Sequence, residues 1–241
     1  MLHKTRGIVL KTTDYGESSV IVQVFTEKFG LQSYIINGVK KAKAKISRNM
    51  LQPLHLLDMV VYHKNAGGIQ RVAELKSSPL LQTIPYDIVK SSIAMFLNEV
   101  LYKTVKQQTA DENLFDFLFS AVEWLDNQTD GLANFHLVFL VNLTRYLGFY
   151  PDRYMAGEAD YFDLKNGTFN KYKPDGLQFI SQPYTQIFSS LLNVGFSSAA
   201  GLKINNEDRR HLITKLLDYY ALHTENFGSI RSHEVLEEVL S

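Results

Sequence analysis

A run of closely spaced cations is the part of the sequence best suited to chemistry. The segment Gly38–Arg48 holds five positive charges in eleven residues: Lys40, Lys41, Lys43, Lys45 and Arg48. Lysine ammonium groups bind phosphates as mobile point charges and displace the counterions condensed on a nucleic acid. They do not read base edges, so such a loop contributes affinity rather than sequence preference. The run predicts a non-specific contact with a polyanion; the alternative is a solvated linker that binds nothing.

Side chains near the N-terminus are candidates to extend this contact. Lys4, Arg6 and Lys11 lie along one strand-like segment. Tyr15 and Tyr34 are candidates for stacking on unpaired bases. The alternative for each tyrosine is half-buried core packing, which is common for a tyrosine in a strand.

Motifs of enzyme catalysis are not found in the sequence. His233-Glu234 lacks the second histidine of a zinc-binding His-Glu-x-x-His helix, and no Gly-x-Ser-x-Gly elbow or P-loop occurs. The acidic pairs Asp111-Glu112 and Glu207-Asp208 fall where the first turn of a helix favours negative charge. We therefore expect a non-enzymatic protein without a metal or cofactor, although distant acids that assemble a two-metal nuclease site remain an alternative.

The formal net charge of zero conceals a division between the two parts of the chain. Residues 1–80 carry twelve lysines and arginines against five aspartates and glutamates, a net charge of +7, so the remainder carries −7. The basic part is suited to a polyanion and the acidic part is not. The chain has no cysteine, which excludes disulfides and fits a cytoplasmic location. No signal peptide and no membrane helix are expected.

Elements that position the basic run follow from hydrophobic periodicity. About 80 residues at the N-terminus alternate as short strands separated by turns, which predicts a small barrel. The predicted strand segments are Gly7–Lys11, Val20–Phe25, Leu31–Ile36, Leu51–His63 and Ile69–Lys76. Asn65–Gly68 predicts the hairpin turn before the last of them.

Beyond Ser77–Pro79 the period becomes helical. The predicted helices begin near Pro85, after an N-cap at Asp111, and near Gly131, Pro183 and Glu207. The third ends at Gly148. Between the third and fourth helices, residues 160–173 predict a β-hairpin with a turn at Asn166-Gly167. The fold class is therefore α+β.

The order and spacing of several short motifs resemble the RecO family of bacterial recombination mediators. The matching segments are Gly7–Lys11, Asp14–Ser18, Val22–Thr26, Gly30–Leu31, the basic run from Gly38, Leu51–Pro53 and, in the second half, Leu147–Pro151. The resemblance extends over the whole chain and is most specific in the first 53 residues.

This resemblance implies an OB-fold barrel over residues 1–80 and a helical domain over residues 81–241. It also implies binding of single- and double-stranded DNA, annealing of complementary strands, and contact with the acidic C-terminal tail of single-stranded-DNA-binding protein. With RecR, family members help RecA replace that protein on DNA. An RNA-binding OB protein is the remaining alternative, because lysine-rich OB surfaces distinguish the two sugars poorly.

One departure from the family concerns zinc. Many relatives carry a four-cysteine knuckle directly after the motif that corresponds to Leu147–Pro151, and this chain has no cysteine. The hairpin 160–173 occupies that place. Its apolar residues, Tyr161, Phe162, Leu164, Phe169 and Tyr172, are expected to replace the metal by packing.

Arginines of the acidic part are the candidates for holding an acidic tail. The third helix supplies Arg145 and, beyond its end, Arg153, next to the apolar run Leu137–Tyr146, and Arg209 with Arg210 opens another helix. The alternative is that they pair with neighbouring acids. We expect one of these two clusters to bind the tail, and we favour Arg145.

Overall fold

The computed structural model describes residues 1–41, 44–64 and 67–240. Five strands of that part form the N-terminal sheet: β1 (Leu2–Tyr15), β2 (Ser19–Thr26), β3 (Gly30–Ile36), β4 (Leu56–Tyr62) and β5 (Gln70–Ser77). They close into a barrel in the order β1-β2-β3-β5-β4. Neighbours are antiparallel except for β3 and β5, which are parallel. This is an OB-type barrel, so the predicted fold class is confirmed.

Alternation along the strands fills the barrel. Val20, Val22 and Val24 of β2 are completely buried inside it, and Tyr34 of β3 is buried beside them. In β1 the pairing shifts between Val9 and Lys11. A bulge of this kind reverses which residues point outwards. As a result Val9 is in the barrel core, whereas Lys11 and the alternate residues after it are exposed.

The fourth strand is shorter than predicted. Only Leu56–Tyr62 of the predicted segment Leu51–His63 is a strand, and a 3-10 turn occupies Arg48–Leu51. Leu54 has a φ of 60° and donates its N–H to the Val9 carbonyl at 2.8 Å. A left-handed residue interrupts an extended run. Of the predicted hairpin turn before β5, Asn65 and Ala66 lie outside the described residues.

Two capped helices follow the barrel. Helix α1 (Ile88–Thr104) begins three residues after Pro85, because Asp87 is its N-cap and accepts the Lys90 N–H at 3.0 Å. Helix α2 (Glu112–Asn127) has the predicted cap, since Asp111 accepts the Leu114 N–H at 2.9 Å.

By internal contacts the chain divides into two compact units, residues 1–127 and 128–241. The first unit contains the barrel together with α1 and α2. A domain boundary at residue 80, where strands give way to helices, stays a prediction. The described residues contain no helix that is both long enough and apolar enough to cross a membrane.

The second unit combines helices with a small sheet. Its helices are α3 (Phe135–Leu147), α4 (Tyr184–Leu191), α5 (Asn206–His223) and α6 (Ser232–Val239), the last of which was not predicted. The α3 C-cap is Gly148, with a φ of 85°. The sheet contains β6 (Tyr161–Asp163), β7 (Thr168–Asn170) and β8 (Phe179–Ser181) in the order β7-β6-β8. The predicted hairpin is thus present. Strand β8 was missed because no Asn-Gly turn marks it, whereas the turn at Asn166-Gly167 marks β6 and β7, which are equally short.

Candidate nucleic-acid interface

The basic loop, residues 38–48, is attached to the turn between β1 and β2. The Lys40 N–H donates to the Ser18 carbonyl at 3.4 Å. The Asp14 carboxylate lies 3.4 Å from Lys40 Nζ and 3.0 Å from Arg48 Nη1. Exposed ion pairs contribute little to stability, but here one carboxylate fixes both ends of the loop. The loop is therefore attached to the end of the barrel at which the β1–β2 turn lies.

Lys41 and Lys45 are the loop cations most open to a ligand. Both are exposed, and neither has a carboxylate within ion-pair distance among the described residues. Lys43 lies outside the described residues. Lys40 and Arg48 already share Asp14, so an incoming phosphate would have to compete with that carboxylate.

Arg6 does not point into solvent as an isolated cation. Its guanidinium lies 2.9 Å from Glu27 and 2.9 Å from Asp116 of α2. It also lies within 5.0 Å of the ring centroids of Phe115 and Phe119. The hydrogen bonds that Arg6 donates to the Glu27 carboxylate are the main cause that raises the pKa of Arg6. Arg6 therefore ties α2 to the barrel, and we leave it out of the interface.

Lys4 and Lys11 both lie on the outside of the barrel, but they are seven residues apart along β1 and have different surroundings. Lys4 lines a groove of about 700 Å³ in which three lysines and Arg6 face three carboxylates. The lysines are Lys4, Lys28 and Lys76, and the carboxylates are those of Glu27, Asp58 and Glu74. Lys11 follows the bulge and is exposed beside Tyr102 of α1, to whose hydroxyl it donates at 3.0 Å. The structure thus separates the two lysines that the sequence suggested as one patch.

Only one of the two candidate stacking tyrosines is accessible. Tyr15 is 54% exposed, whereas Tyr34 is 0% exposed inside the barrel. Burial raises the pKa of the Tyr34 phenol. The stacking prediction for Tyr34 is therefore wrong, and the alternative of core packing is correct.

An outer face of the barrel that sequence reasoning missed lies beside the loop. Cross-strand pairing places Thr13, Ile21, Ile35 and Arg71 in one row across β1, β2, β3 and β5. Ile21 and Ile35 are half-buried and Arg71 is exposed. The next row towards the loop contains Tyr15, and the row on the other side contains Lys11. Strands rise about 3.3 Å per residue, so the three rows span roughly 13 Å of open, apolar and cationic surface. The sequence did contain a signal for this face, because β2 carries apolar residues on its outer side, such as Ile21, as well as on its inner side.

The sequence of the chain matches known protein families along nearly its whole length. The model for "Recombination protein O N terminal" matches residues 1–79, and that for "Recombination protein O C terminal" matches residues 85–229. The chain belongs to the RecO family. A protein from Flavobacterium psychrophilum named DNA repair protein RecO is 35% identical over 241 residues, covering 99% of each chain. Proteins of the same name from Flavobacterium johnsoniae and Bacteroides fragilis are 36% and 35% identical, each over 99% of both chains.

Among the candidate arginines for a RecO partner, Arg209 is buried. It is 8% exposed and donates to Asn134 Oδ1 at 2.8 Å and to the Ile204 carbonyl at 3.1 Å. Burial lowers the pKa of its guanidinium. Arg210 is exposed and lies 3.9 Å from Glu237. The prediction that Arg209 and Arg210 form one surface cluster is therefore wrong in its geometry, since a buried guanidinium that holds Asn134 is not available to a peptide.

Arg145 and Arg153 both reach the C-terminal end of α4. The Arg145 guanidinium lies 4.3 Å from the Tyr150 ring centroid and donates to the Tyr150 hydroxyl at 2.7 Å. That hydroxyl donates to the Leu192 carbonyl at 3.2 Å, and Arg153 donates to Asn193. Both arginines are exposed. The adjacent apolar run is mostly core, however: Leu137, Val138, Phe139, Leu140, Val141 and Leu143 are at most 1% exposed.

The segment in the place of the RecO zinc knuckle has an aromatic core. Phe162, Leu164 and Phe169 are at most 3% exposed. The Phe162 ring centroid lies 4.6 Å from that of Phe188 in α4 and 5.6 Å from that of Tyr219 in α5. Tyr161 is half-buried. Tyr172 is 83% exposed, so its predicted place in this core is wrong.

Within the described ranges, no three histidine, aspartate or glutamate side chains are close enough together to hold a metal ion. The Asp163 carboxylate instead accepts the N–H groups of Lys165 at 2.8 Å and Asn166 at 3.1 Å, which fixes the hairpin turn.

Proposed function

We propose that this protein binds DNA without sequence preference and acts as a recombination mediator in DNA repair in the cytoplasm, without catalysing a reaction itself. The observation that carries this proposal is the grouping of Lys41, Lys45, Lys11 and Arg71 around one open face of an OB-type barrel. The name DNA repair protein RecO, borne by relatives that match the whole chain, supports it.

The mechanism follows from charge and shape. Lysines on the loop neutralise phosphates and release counterions, while Tyr15, Ile21 and Ile35 offer apolar and aromatic surface to unpaired bases. Neutralising phosphates on two strands lowers their mutual repulsion and favours annealing. Neither kind of contact reads base edges, so binding is expected to be similar for all sequences. The phosphate contacts are common to single- and double-stranded DNA, and the contacts with unpaired bases add affinity for single strands.

The loop can be tested by changing Lys41, Lys43 and Lys45 to alanine. Because each lysine that contacts a single-stranded phosphate contributes about 0.7 to the log–log salt slope, the slope should fall by about 2 units. Fluorescence anisotropy with a labelled oligonucleotide at several salt concentrations measures it. Lys40 is left in place because it attaches the loop to Asp14.

A matched control removes the same charge from the other face of the barrel. Changing Lys4, Lys28 and Lys76 to alanine should leave the slope within about half a unit of wild type, because these lysines face carboxylates in their groove. Equal slopes for the two folded triple variants would refute a specific role for the loop.

We further propose that the second unit binds the acidic C-terminal tail of single-stranded-DNA-binding protein, while the chain also works with RecR and so assists RecA. An acidic peptide can bind an acidic unit because charges beyond about 8 Å are screened at physiological salt. Arg145 and Arg153 supply two nearby cations, and Tyr150 and the 77% exposed Tyr154 supply apolar surface for the last side chain of the tail.

Reversing the charge of Arg145 should therefore weaken the binding of the tail peptide. Arg145→Glu is expected to reduce affinity by about tenfold or more, because a charge-assisted hydrogen bond becomes a repulsion. Fluorescence polarisation of a labelled tail peptide measures it.

Arg210→Glu makes the same change of charge at an exposed position beside Glu237 and serves as the control. Wild-type affinity in Arg145→Glu together with a loss in Arg210→Glu would move the site to α5. Wild-type affinity in both variants would leave the basic barrel as the candidate.

Three assays test this function against its alternatives. Strand annealing in the presence of single-stranded-DNA-binding protein, with and without its tail, tests the mediator role directly. Magnesium-dependent cleavage of the same DNA would indicate the nuclease alternative, and stronger binding of a matched RNA oligonucleotide would indicate an RNA-binding protein.

A further inference from the structure

The small sheet has one buried face and one open face. Phe162, Phe169 and Ile180 point towards the helices and are at most 3% exposed. The opposite face carries the half-buried rings of Tyr161 and Phe179, which meet edge to face with centroids 5.6 Å apart. Cross-strand pairing places Asn170 and Ser181 on either side of Tyr161. Two aromatic rings and two small polar side chains thus lie together on an antiparallel sheet.

A lysine-flanked tyrosine directly follows β7. Tyr172 is 83% exposed and stands between the exposed residues Lys171 and Lys173. The Lys173 ammonium lies 5.2 Å from the Phe179 ring centroid, so this cation is held over the open face of the sheet. Nothing in the packing of the sheet requires an aromatic ring at position 172.

Two grooves meet at Tyr172 and Lys173. One has a volume of about 530 Å³ and is also lined by Asp160, Tyr161, Lys171, Ser181 and Gln182. The other has a volume of about 430 Å³ and is also lined by Asp163, Lys165, Asn166, Asn170, Asp175 and Gln178, with Pro174 at its edge. Polar and charged side chains predominate in both, which is unlike the apolar lining of a protein-docking groove.

The lysines around the grooves are more accessible than the aspartates. Lys165, Lys171 and Lys173 face them, against Asp160, Asp163 and Asp175. Of these acids Asp163 is 9% exposed, and its carboxylate is already occupied by the turn amides and by Asn166 Nδ2 at 2.7 Å. The grooves are therefore close to neutral within the acidic part of the chain, and their three lysines are exposed whereas one of the three carboxylates is buried at the turn.

We propose that the open face of β6, β7 and β8 is a second binding site for single-stranded nucleic acid, with Tyr172 stacking on a base and Lys171 and Lys173 holding its phosphates. Aromatic rings stack on any base, and amide side chains donate to whichever base edge is presented. The two grooves take successive nucleotides on either side of Tyr172. This proposal rests on the proposed DNA-binding function and adds a second place on the same chain where a strand is held.

The test compares Tyr172→Ala and the double change of Lys171 and Lys173 to alanine with wild type, using a labelled oligothymidylate. Loss of one stacked base should weaken binding about fivefold or more. The lysine pair should lower the salt slope by about 1.4 units. The matched controls are Tyr86→Ala, since Tyr86 is 86% exposed but flanked by Pro85 and Asp87, and the double change of Lys203 and Lys215 to alanine.

Photocrosslinking gives a readout that does not depend on affinity. An oligonucleotide containing 5-iodouracil should crosslink to a peptide containing Tyr172 in the wild-type chain, as identified by mass spectrometry. Absence of oligonucleotide binding by wild type would overturn the proposed function itself. Binding by wild type, with unchanged affinity and slope in both sheet variants and no crosslink at Tyr172, would overturn the second site alone.

Discussion

Phe162→Ala is expected to lower the free energy of unfolding of the second unit by about 3–5 kcal/mol. The ring is 0% exposed and lies within 5.6 Å, centroid to centroid, of Phe169, Phe188 and Tyr219. It thus joins the small sheet to both α4 and α5. Removing it leaves a cavity at the centre of the aromatic core that stands where many relatives have a zinc knuckle.

Hydrogen exchange of peptides from residues 160–181, measured by mass spectrometry, reports on this core. Exchange should accelerate strongly in Phe162→Ala and only slightly in Phe162→Leu, which keeps most of the volume. Tyr172→Ala is the control, because an 83% exposed side chain contributes within about 0.5 kcal/mol.

The same hydrogen-exchange measurement on the wild-type protein tests whether the sheet depends on a metal. Without cysteine ligands, the wild-type sheet should exchange at the same rate before and after treatment with a chelator, and the purified protein should contain no stoichiometric zinc. Faster exchange after chelation, or a cost below about 1 kcal/mol for Phe162→Ala, would contradict the replacement of the metal by packing.

Sequence periodicity was sufficient for the barrel because its interior follows a period of two. Val20, Val22 and Val24 alternate with less buried neighbours, and this alternation is visible without a structure. The helix cap at Asp111 was predictable for a similar reason, since capping depends on residues three apart. Local rules of this kind, together with motifs whose order matches the RecO family, gave the fold class.

The placement of single cations was not predictable, because it depends on contacts between distant residues. Arg6 is paired with Asp116, which is 110 residues away, and Arg209 with Asn134, which is 75 residues away. Neither partner is near in sequence, so both arginines look like ordinary surface cations. The bulge after Val9 adds a second difficulty, because one unpaired residue turns Lys11 outwards where unbroken alternation would place it inside the barrel.

The open face of the barrel was missed for a related reason. Ile21 and Ile35 look like core residues in the sequence, and only the register of β2 with β3 shows that they pair on the outside. Tyr34 is the converse case, since its position on the inner side of β3 places it in the core. Inside and outside are decided by register, which periodicity alone does not fix.

A hydrogen-bond network around Asp126 joins residues more than 40 positions apart, so it could not be predicted from the sequence. The Asp126 carboxylate accepts the backbone N–H groups of Gln82 at 2.7 Å, Thr83 at 2.9 Å and Ile84 at 2.8 Å. The ammonium of Lys90, which is 3% exposed, donates to the Asp126 carbonyl at 2.8 Å. The end of α2 thus holds the segment that connects the barrel to α1.

Asp126→Asn is expected to cost about 3–5 kcal/mol although it barely changes the size of the side chain. The two carboxylate oxygens accept three N–H groups, whereas an asparagine has one acceptor oxygen and an NH₂ group that would face a donor. Asp87→Asn is the matched control. Asp87 is exposed and accepts one N–H as the cap of α1, and asparagine caps a helix about as well as aspartate.

The pH dependence gives an independent check on this network. Burial alone would raise the pKa of Asp126, but the hydrogen bonds from Gln82, Ile84 and Thr83 outweigh it and lower the pKa below its ordinary value of 3.8. A carboxyl group with a lowered pKa stabilises the folded state above its ordinary pKa and loses that contribution as the pH falls through the folded value. The difference in stability between wild type and Asp126→Asn should therefore be constant near neutral pH and should shrink below about pH 4.

Urea unfolding followed by the fluorescence of Trp124 measures both effects. Trp124 is the only tryptophan in the chain and lies in α2, two residues before Asp126. A loss in Asp126→Asn no larger than that in Asp87→Asn would show that the network does not hold the connecting segment. A difference between wild type and Asp126→Asn that persists unchanged to pH 3 would show that the carboxylate charge is not its source.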